Sequence, residues 1–216
     1  MNQKLSILWV VAALALVLSS CSPYSSVEGA EVVYLFRDGF TDTSGGWESG
    51  ETEEGSTGYY NGAYRIFVNR PDYYLWSNPR DLIFIDVRIE VDATKMAGPE
   101  INDIGVICRY KDPENFYFFS ISSDGYYGVS KIINGQEQWI GMEEPQLDNV
   151  TIRTGTATNH LRADCIQQKL SFYVNGKHLI DVNDSDLSQG NVGLIAGTWD
   201  SPGTDVLFDN FLVIQP

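Results

Sequence analysis

Ile85-Asp86-Val87-Arg88-Ile89-Glu90-Val91-Asp92 alternates apolar and charged side chains without a break. A period of two sends every aliphatic group to one side of an extended chain and every charge to the other, as a strand with one buried and one wetted face requires. Outward from this stretch, alternation or a short apolar run recurs at 32–36, 63–68, 82–91, 104–110, 115–122, 126–133, 160–166, 170–174, 178–182, 192–196 and 206–214. Asp124-Gly125, Asn134-Gly135 and Asn175-Gly176 fall between or beside such runs and tolerate positive φ, so each predicts a tight antiparallel hairpin. No segment shows a convincing helical period. The pattern predicts an all-β, antiparallel sandwich or barrel.

The 216 residues carry 14 Lys plus Arg against 29 Asp plus Glu, a formal net charge of −15. Nucleic acid is disfavoured as a partner, because phosphate contacts need clustered cations. The same charge biases against anionic polymers in general. Aromatics make up 12% of the chain, which has the length to bury a real core. The acidic segment 48–54 reads as a solvated loop.

The amino-terminal end is different. Lys4 precedes an apolar run from Leu5 to Leu18, too short for a comfortable membrane span, and Leu18-Ser19-Ser20-Cys21 follows. That ending resembles the lipobox of bacterial lipoproteins. The resemblance implies removal of residues 1–20, a diacylglyceryl thioether on Cys21 and an extracytoplasmic domain tied to a membrane by its lipid; two or three acyl chains suffice for stable anchoring. Residues 21–31, Ser-rich, read as the lipidated cysteine and a flexible tether, leaving 32–216 as one folded domain. Cys108 and Cys165 then lie in an oxidising compartment, where a disulfide between them would contribute roughly 2 to 4 kcal/mol. Both sit in apolar strand patterns, so two buried free thiols are the competing reading.

Phe36-Arg37-Asp38-Gly39-Phe40-Thr41-Asp42 with Gly46-Trp47, Tyr173-Val174-Asn175-Gly176-Lys177, Val192-Gly193-Leu194 and Phe208-Asp209-Asn210-Phe211 resemble the concanavalin A-like lectin/glucanase superfamily, in particular laminin-G-like jelly rolls and the 3-keto-disaccharide hydrolase domain family. The resemblance implies a two-sheet antiparallel jelly-roll β-sandwich with its first and last strands adjacent. Such domains bind sugars, bind proteins, hydrolyse glycosides or serve as structural modules, so the fold does not choose among these.

Glycoside hydrolysis needs two carboxyl groups across one bond. The glucanase branch carries E-x-D-x-x-E, and the nearest match, Glu90-Val91-Asp92-Ala93-Thr94-Lys95, has lysine in place of the second glutamate. No G-x-S-x-G elbow is present, and neither His160 nor His178 sits in a nucleophile motif. The sequence therefore favours a non-catalytic binding domain for carbohydrate or a cell-envelope partner, with a glycoside or 3-keto-disaccharide hydrolase and a purely structural envelope module as alternatives. Binding would rest on aromatic faces against sugar rings: Trp76 with Tyr73 and Tyr74 in a proline-bounded loop, Tyr126 and Tyr127 after the Asp124-Gly125 turn, Trp139, and Trp199 in a loop whose lack of alternation leaves its indole unexplained. Arg109 interrupts an apolar strand, as an ion pair with Asp164 or as part of a ligand face. No cofactor is required by these patterns; a structural calcium ion held by Asp38, Asp42 and Asp209 is the candidate metal, with turn capping by the same residues as the competing reading.

Overall fold

Alternation at the deciding stretch becomes a strand from Val87 onward. In the computed structural model, which describes residues 31–216, strand β6 (Val87–Ala97) buries Val87, Ile89, Val91 and Ala93 and turns Arg88, Glu90 and Asp92 outward. The signal-like segment, Cys21 and the tether up to residue 30 lie outside the described residues. Among those described there is no helix; residues 32–216 form one compact unit.

Two antiparallel sheets face each other. The nine-stranded sheet runs β14 (Lys177–Asn183), β13 (Lys169–Val174), β12 (Thr158–Ile166), β6, β16 (Thr204–Ile214), β4 (Ala63–Val68), β3 (Gly55–Tyr60) and β2 (Gly50–Thr52), with β1 (Tyr34–Asp38) beside β16. The first and last strands are therefore neighbours, Tyr34 opposite Ile214. The seven-stranded sheet runs β10 (Gln136–Trp139), β9 (Tyr126–Ile133), β8 (Asn115–Ile121), β7 (Asn102–Asp112), β15 (Asn191–Thr198) and β5 (Tyr73–Ser77), with β11 (Gln146–Leu147) beside β9. This is the jelly-roll β-sandwich that the sequence predicts.

Inward-facing residues of both sheets form one core, including Ile66, Ile89, Val91, Val106, Phe119, Phe172, Leu194 and Phe208. Cys108 on β7 and Cys165 on β12 are fully buried and joined in a disulfide, which ties one sheet to the other. One end of the core is aromatic: Phe40, Trp47, Tyr64 and Phe211 stack at centroid distances of 4.9 to 5.5 Å.

The outer face of the seven-stranded sheet is buried as well. Ile107, Phe116, Phe118 and Ile195 form a second cluster, covered by Tyr74, Trp76, Tyr110 and Ile132. Its edge strands β5 and β10 are five strand spacings apart, about 24 Å if the sheet were flat. Yet the Tyr74 hydroxyl lies 3.5 Å from a Glu137 carboxylate oxygen, so the sheet curls until its edges meet over a concave face.

Three sequence readings need correction. The proline-bounded segment around Tyr74 is strand β5; Tyr73 and Leu75 pack on the main core while Tyr74 and Trp76 pack on the second cluster, so no polar face marks it as a strand. The acidic segment contains the short, exposed strand β2, held at the sheet edge by pairing to β3. Residues 82–86 are not strand: Ile83 and Ile85 are exposed, and the segment's one ladder contact is Phe84 with Gly190.

Candidate functional site

At one end of the concave face, two glycines open the surface to aromatic rings. A Cβ on Gly197 would lie 2.5 Å from the Tyr74 ring, and one on Gly128 would lie 2.2 Å from the Trp139 ring. Each glycine therefore lets the edge of a ring approach closer than any side chain there would allow.

Between them stands Asp103 on β7, 5% exposed. One carboxylate oxygen accepts a hydrogen bond from Ser120 Oγ at 2.7 Å; the other accepts from Trp199 Nε1 at 2.9 Å and from the Tyr74 hydroxyl at 3.2 Å. Burial pushes the Asp103 carboxyl above the usual carboxylate range, and the three donors pull against that shift. Burial beside Asp103 and Glu137 likewise raises Tyr74, which stays a protonated donor. The carboxylate thus anchors an indole that reaches it from just beyond β15.

Trp199 remains 40% exposed and, with Trp139, Tyr126 and Tyr127, lines a cleft of about 410 Å³. Its polar groups are Asp103 and Ser120 together with Asn102, Ser122, Asp124 and Glu144. Asn102 braces the mouth: its amide donates to Pro99 O at 2.7 Å and Ser123 Oγ at 3.0 Å, while its oxygen accepts from Ser123 N at 3.0 Å. The cleft can offer flat apolar surfaces and a fixed set of acceptors, the combination that holds a small polar ring. Asp103, Ser120 and Glu144 were not singled out from the sequence; the nearest signal was an acid placed immediately before the apolar run at 104–110.

Two residues expected with the aromatics lie elsewhere. Trp76 packs on Phe116 at 5.6 Å and donates to the Tyr110 hydroxyl at 3.4 Å, within the second cluster. Arg109 is six residues along β7 from Asp103, about 20 Å at strand rise. Its guanidinium is buried and donates to Leu187 O at 2.9 Å and Gln167 O at 2.5 Å, with Asp86 at 3.6 Å. Asp164 pairs instead with Arg88 at 3.1 Å and Arg162 at 2.5 Å, so the expected Arg109–Asp164 ion pair is absent.

The proposed calcium carboxylates serve their own turns. Asp38 accepts from Phe40 N at 2.7 Å and Trp47 Nε1 at 3.0 Å, Asp42 from Ser44 N at 2.8 Å, and Asp209 from Asn210 N at 2.7 Å. Among the described residues no group of three or more His, Cys, Asp or Glu is arranged to hold a metal ion.

Glu90 and Asp92 lie on the outer face of the nine-stranded sheet and share one partner. His160 sits opposite Asp92, with Nδ1 at 2.8 Å from Asp92 and Nε2 at 3.6 Å from Glu90. The Glu90 contact, then that of Asp92, raises the imidazole above its ordinary pKa, against partial burial. Protonated His160 therefore stabilises the fold below about pH 6.5, and that contribution is lost as pH rises through the higher folded value. Because the side chain is 41% exposed, solvent screening limits the effect to a few tenths of a kcal/mol. Urea unfolding across this pH range should show the decline, and His160→Gln should flatten it; an equally steep decline in that variant would assign it to another group.

The architecture is a two-sheet antiparallel jelly-roll β-sandwich. The chain is similar to the carbohydrate binding module CBM66 from Bacillus subtilis, with a TM-score of 0.62 and 20% identity over 79% of this chain and 96% of that one. It is also similar to a Bacillus subtilis protein of unknown function with a galectin-like fold (TM-score 0.60, 11% identity, 86% and 98% covered). A third likeness is the catalytic domain of an endo-1,3-β-glucanase, a laminarinase, from Thermotoga petrophila RKU-1 (TM-score 0.60, 9% identity, 86% and 98% covered). At these identities the likeness is one of fold. No protein-family model and no curated protein matches the sequence.

Proposed function

We propose that this chain is a non-catalytic carbohydrate-binding domain, tied to the outer side of a membrane by lipid on Cys21, and that its ligand occupies the cleft between Trp139 and Trp199. The observation that carries the reading is the convergence of four aromatic side chains on one cleft whose floor is the fixed Asp103–Ser120 pair. Sugar rings present apolar faces and equatorial hydroxyls together, and this surface matches both. The likeness to a carbohydrate binding module supports it. Asp103 itself is held by three donors and is not free to exchange a proton with a glycosidic oxygen, which suits an anchoring role.

Trp199→Ala should weaken binding to the best ligand of a neutral oligosaccharide panel at least tenfold in calorimetry, about 1.4 kcal/mol, with the protein still folded but its urea midpoint lowered by loss of the donor to buried Asp103. A folded protein that binds no member of the panel overturns the reading, and release of reducing sugar replaces it with a hydrolase. Mass spectrometry of the membrane-extracted protein should find acyl chains on Cys21, and Cys21→Ser should appear in the soluble fraction.

A further inference from the structure

The cleft's charges are all of one sign. Asp103, Asp124 and Glu144 line it, and no Lys, Arg or His does. Among the described residues none of these three carboxylates has a cationic side chain within 4 Å, although the same chain pairs Asp164, Asp181, Asp184 and Asp205 with Lys or Arg. Asp124 accepts from Ser122 Oγ, a neutral donor. A recess with low-dielectric walls focuses such uncompensated charge.

The walls act in the same sense. Indole and phenol faces carry negative quadrupole charge and attract cations, most strongly when the cation is partly desolvated. A neutral sugar would gain only stacking and hydrogen bonds here, and an anionic one would be repelled.

Resting on the carbohydrate reading above, we infer that the cleft selects sugars bearing a protonated amine, 2-amino-2-deoxy residues, over their neutral and N-acetylated counterparts. Burial, and after it the charge on Asp124, act against the charged form of Asp103, and a bound ammonium would offset both.

Calorimetry with the β-1,4-linked trisaccharides of glucosamine and of N-acetylglucosamine, and with a β-1,3-linked glucose trisaccharide, tests it. The glucosamine trisaccharide should bind at least tenfold more tightly than either of the others, and the margin should shrink as salt is raised. Asp124→Asn with Glu144→Gln should bring the ratio close to one, whereas Glu51→Gln with Glu53→Gln, on and beside the exposed edge strand β2, should leave it intact. Equal affinities for all three ligands overturn the inference and leave the carbohydrate reading standing. A preference abolished by the β2 variant also overturns it, by showing general adsorption to an acidic surface. Binding of no saccharide overturns the carbohydrate reading itself.

Discussion

Reduction of the Cys108–Cys165 bridge is expected to cost about 4 kcal/mol of stability, from the loop-closure entropy of a 57-residue separation. The bridge joins β7 of one sheet to β12 of the other, so in the unfolded chain it holds together segments that otherwise meet only through the core. For a domain of this size that corresponds to a melting temperature lower by roughly 10 °C. Urea unfolding of the oxidised protein with and without reductant gives the number directly. Replacing both cysteines with alanine should give a similar or slightly larger loss, since both sulfurs are fully buried and leave small voids. A midpoint indifferent to reductant would mean that the unfolded chain is already compact enough to make the cross-link redundant.

How much of this could be read from the sequence varied with the number of faces each strand buries. Strand β6 was plain because one face is wet, and its register follows from the alternation of Val87, Ile89 and Val91 with Arg88, Glu90 and Asp92. The Asn134-Gly135 and Asn175-Gly176 hairpins were equally plain, and both asparagines take positive φ. Strand β5 was not, because the curled sheet buries both its faces, and Pro71 and Pro79 on its flanks read as loop markers. Aromatic type alone picked out Tyr126, Tyr127, Trp139 and Trp199, but sequence separation gave no indication that residues 139 and 199 share a cleft; the sheet curl and the Asp103–Trp199 bond bring them there. Arg109 was misread for a related reason. An isolated charge in an apolar run suggests a carboxylate partner, yet Arg109 sits at a positive φ of 52° where the β7–β8 register shifts, and its two terminal nitrogens donate to main-chain carbonyls that no side-chain pattern announces.

Trp47→Ala is expected to be as damaging as loss of the disulfide, at about 3 to 5 kcal/mol. Its indole is 4% exposed and meets Phe211 edge-on at 4.9 Å, Phe40 at 5.3 Å and Tyr64 at 5.4 Å. Truncation removes these contacts together, and the cavity has little chance to collapse because the neighbouring rings come from β4, β16 and the loop after β1, each fixed by its own strand or turn. It also deprives Asp38 Oδ2 of the indole N–H at 3.0 Å. Burial already raises the Asp38 carboxyl above the usual range, so losing a donor to the charged form raises it further. Trp47→Phe separates the two effects: it keeps most of the ring stacking and removes the N–H, at a cost of about 1 to 2 kcal/mol. Combining each variant with Asp38→Asn in a double-mutant cycle should give coupling of about 1 kcal/mol or more for the hydrogen bond. If Trp47→Ala lost less than about 1 kcal/mol in urea unfolding, the aromatic end would have to unfold separately from the core. Because β1 is held there against β16, the amino-terminal strand would then be the first part of the domain to detach.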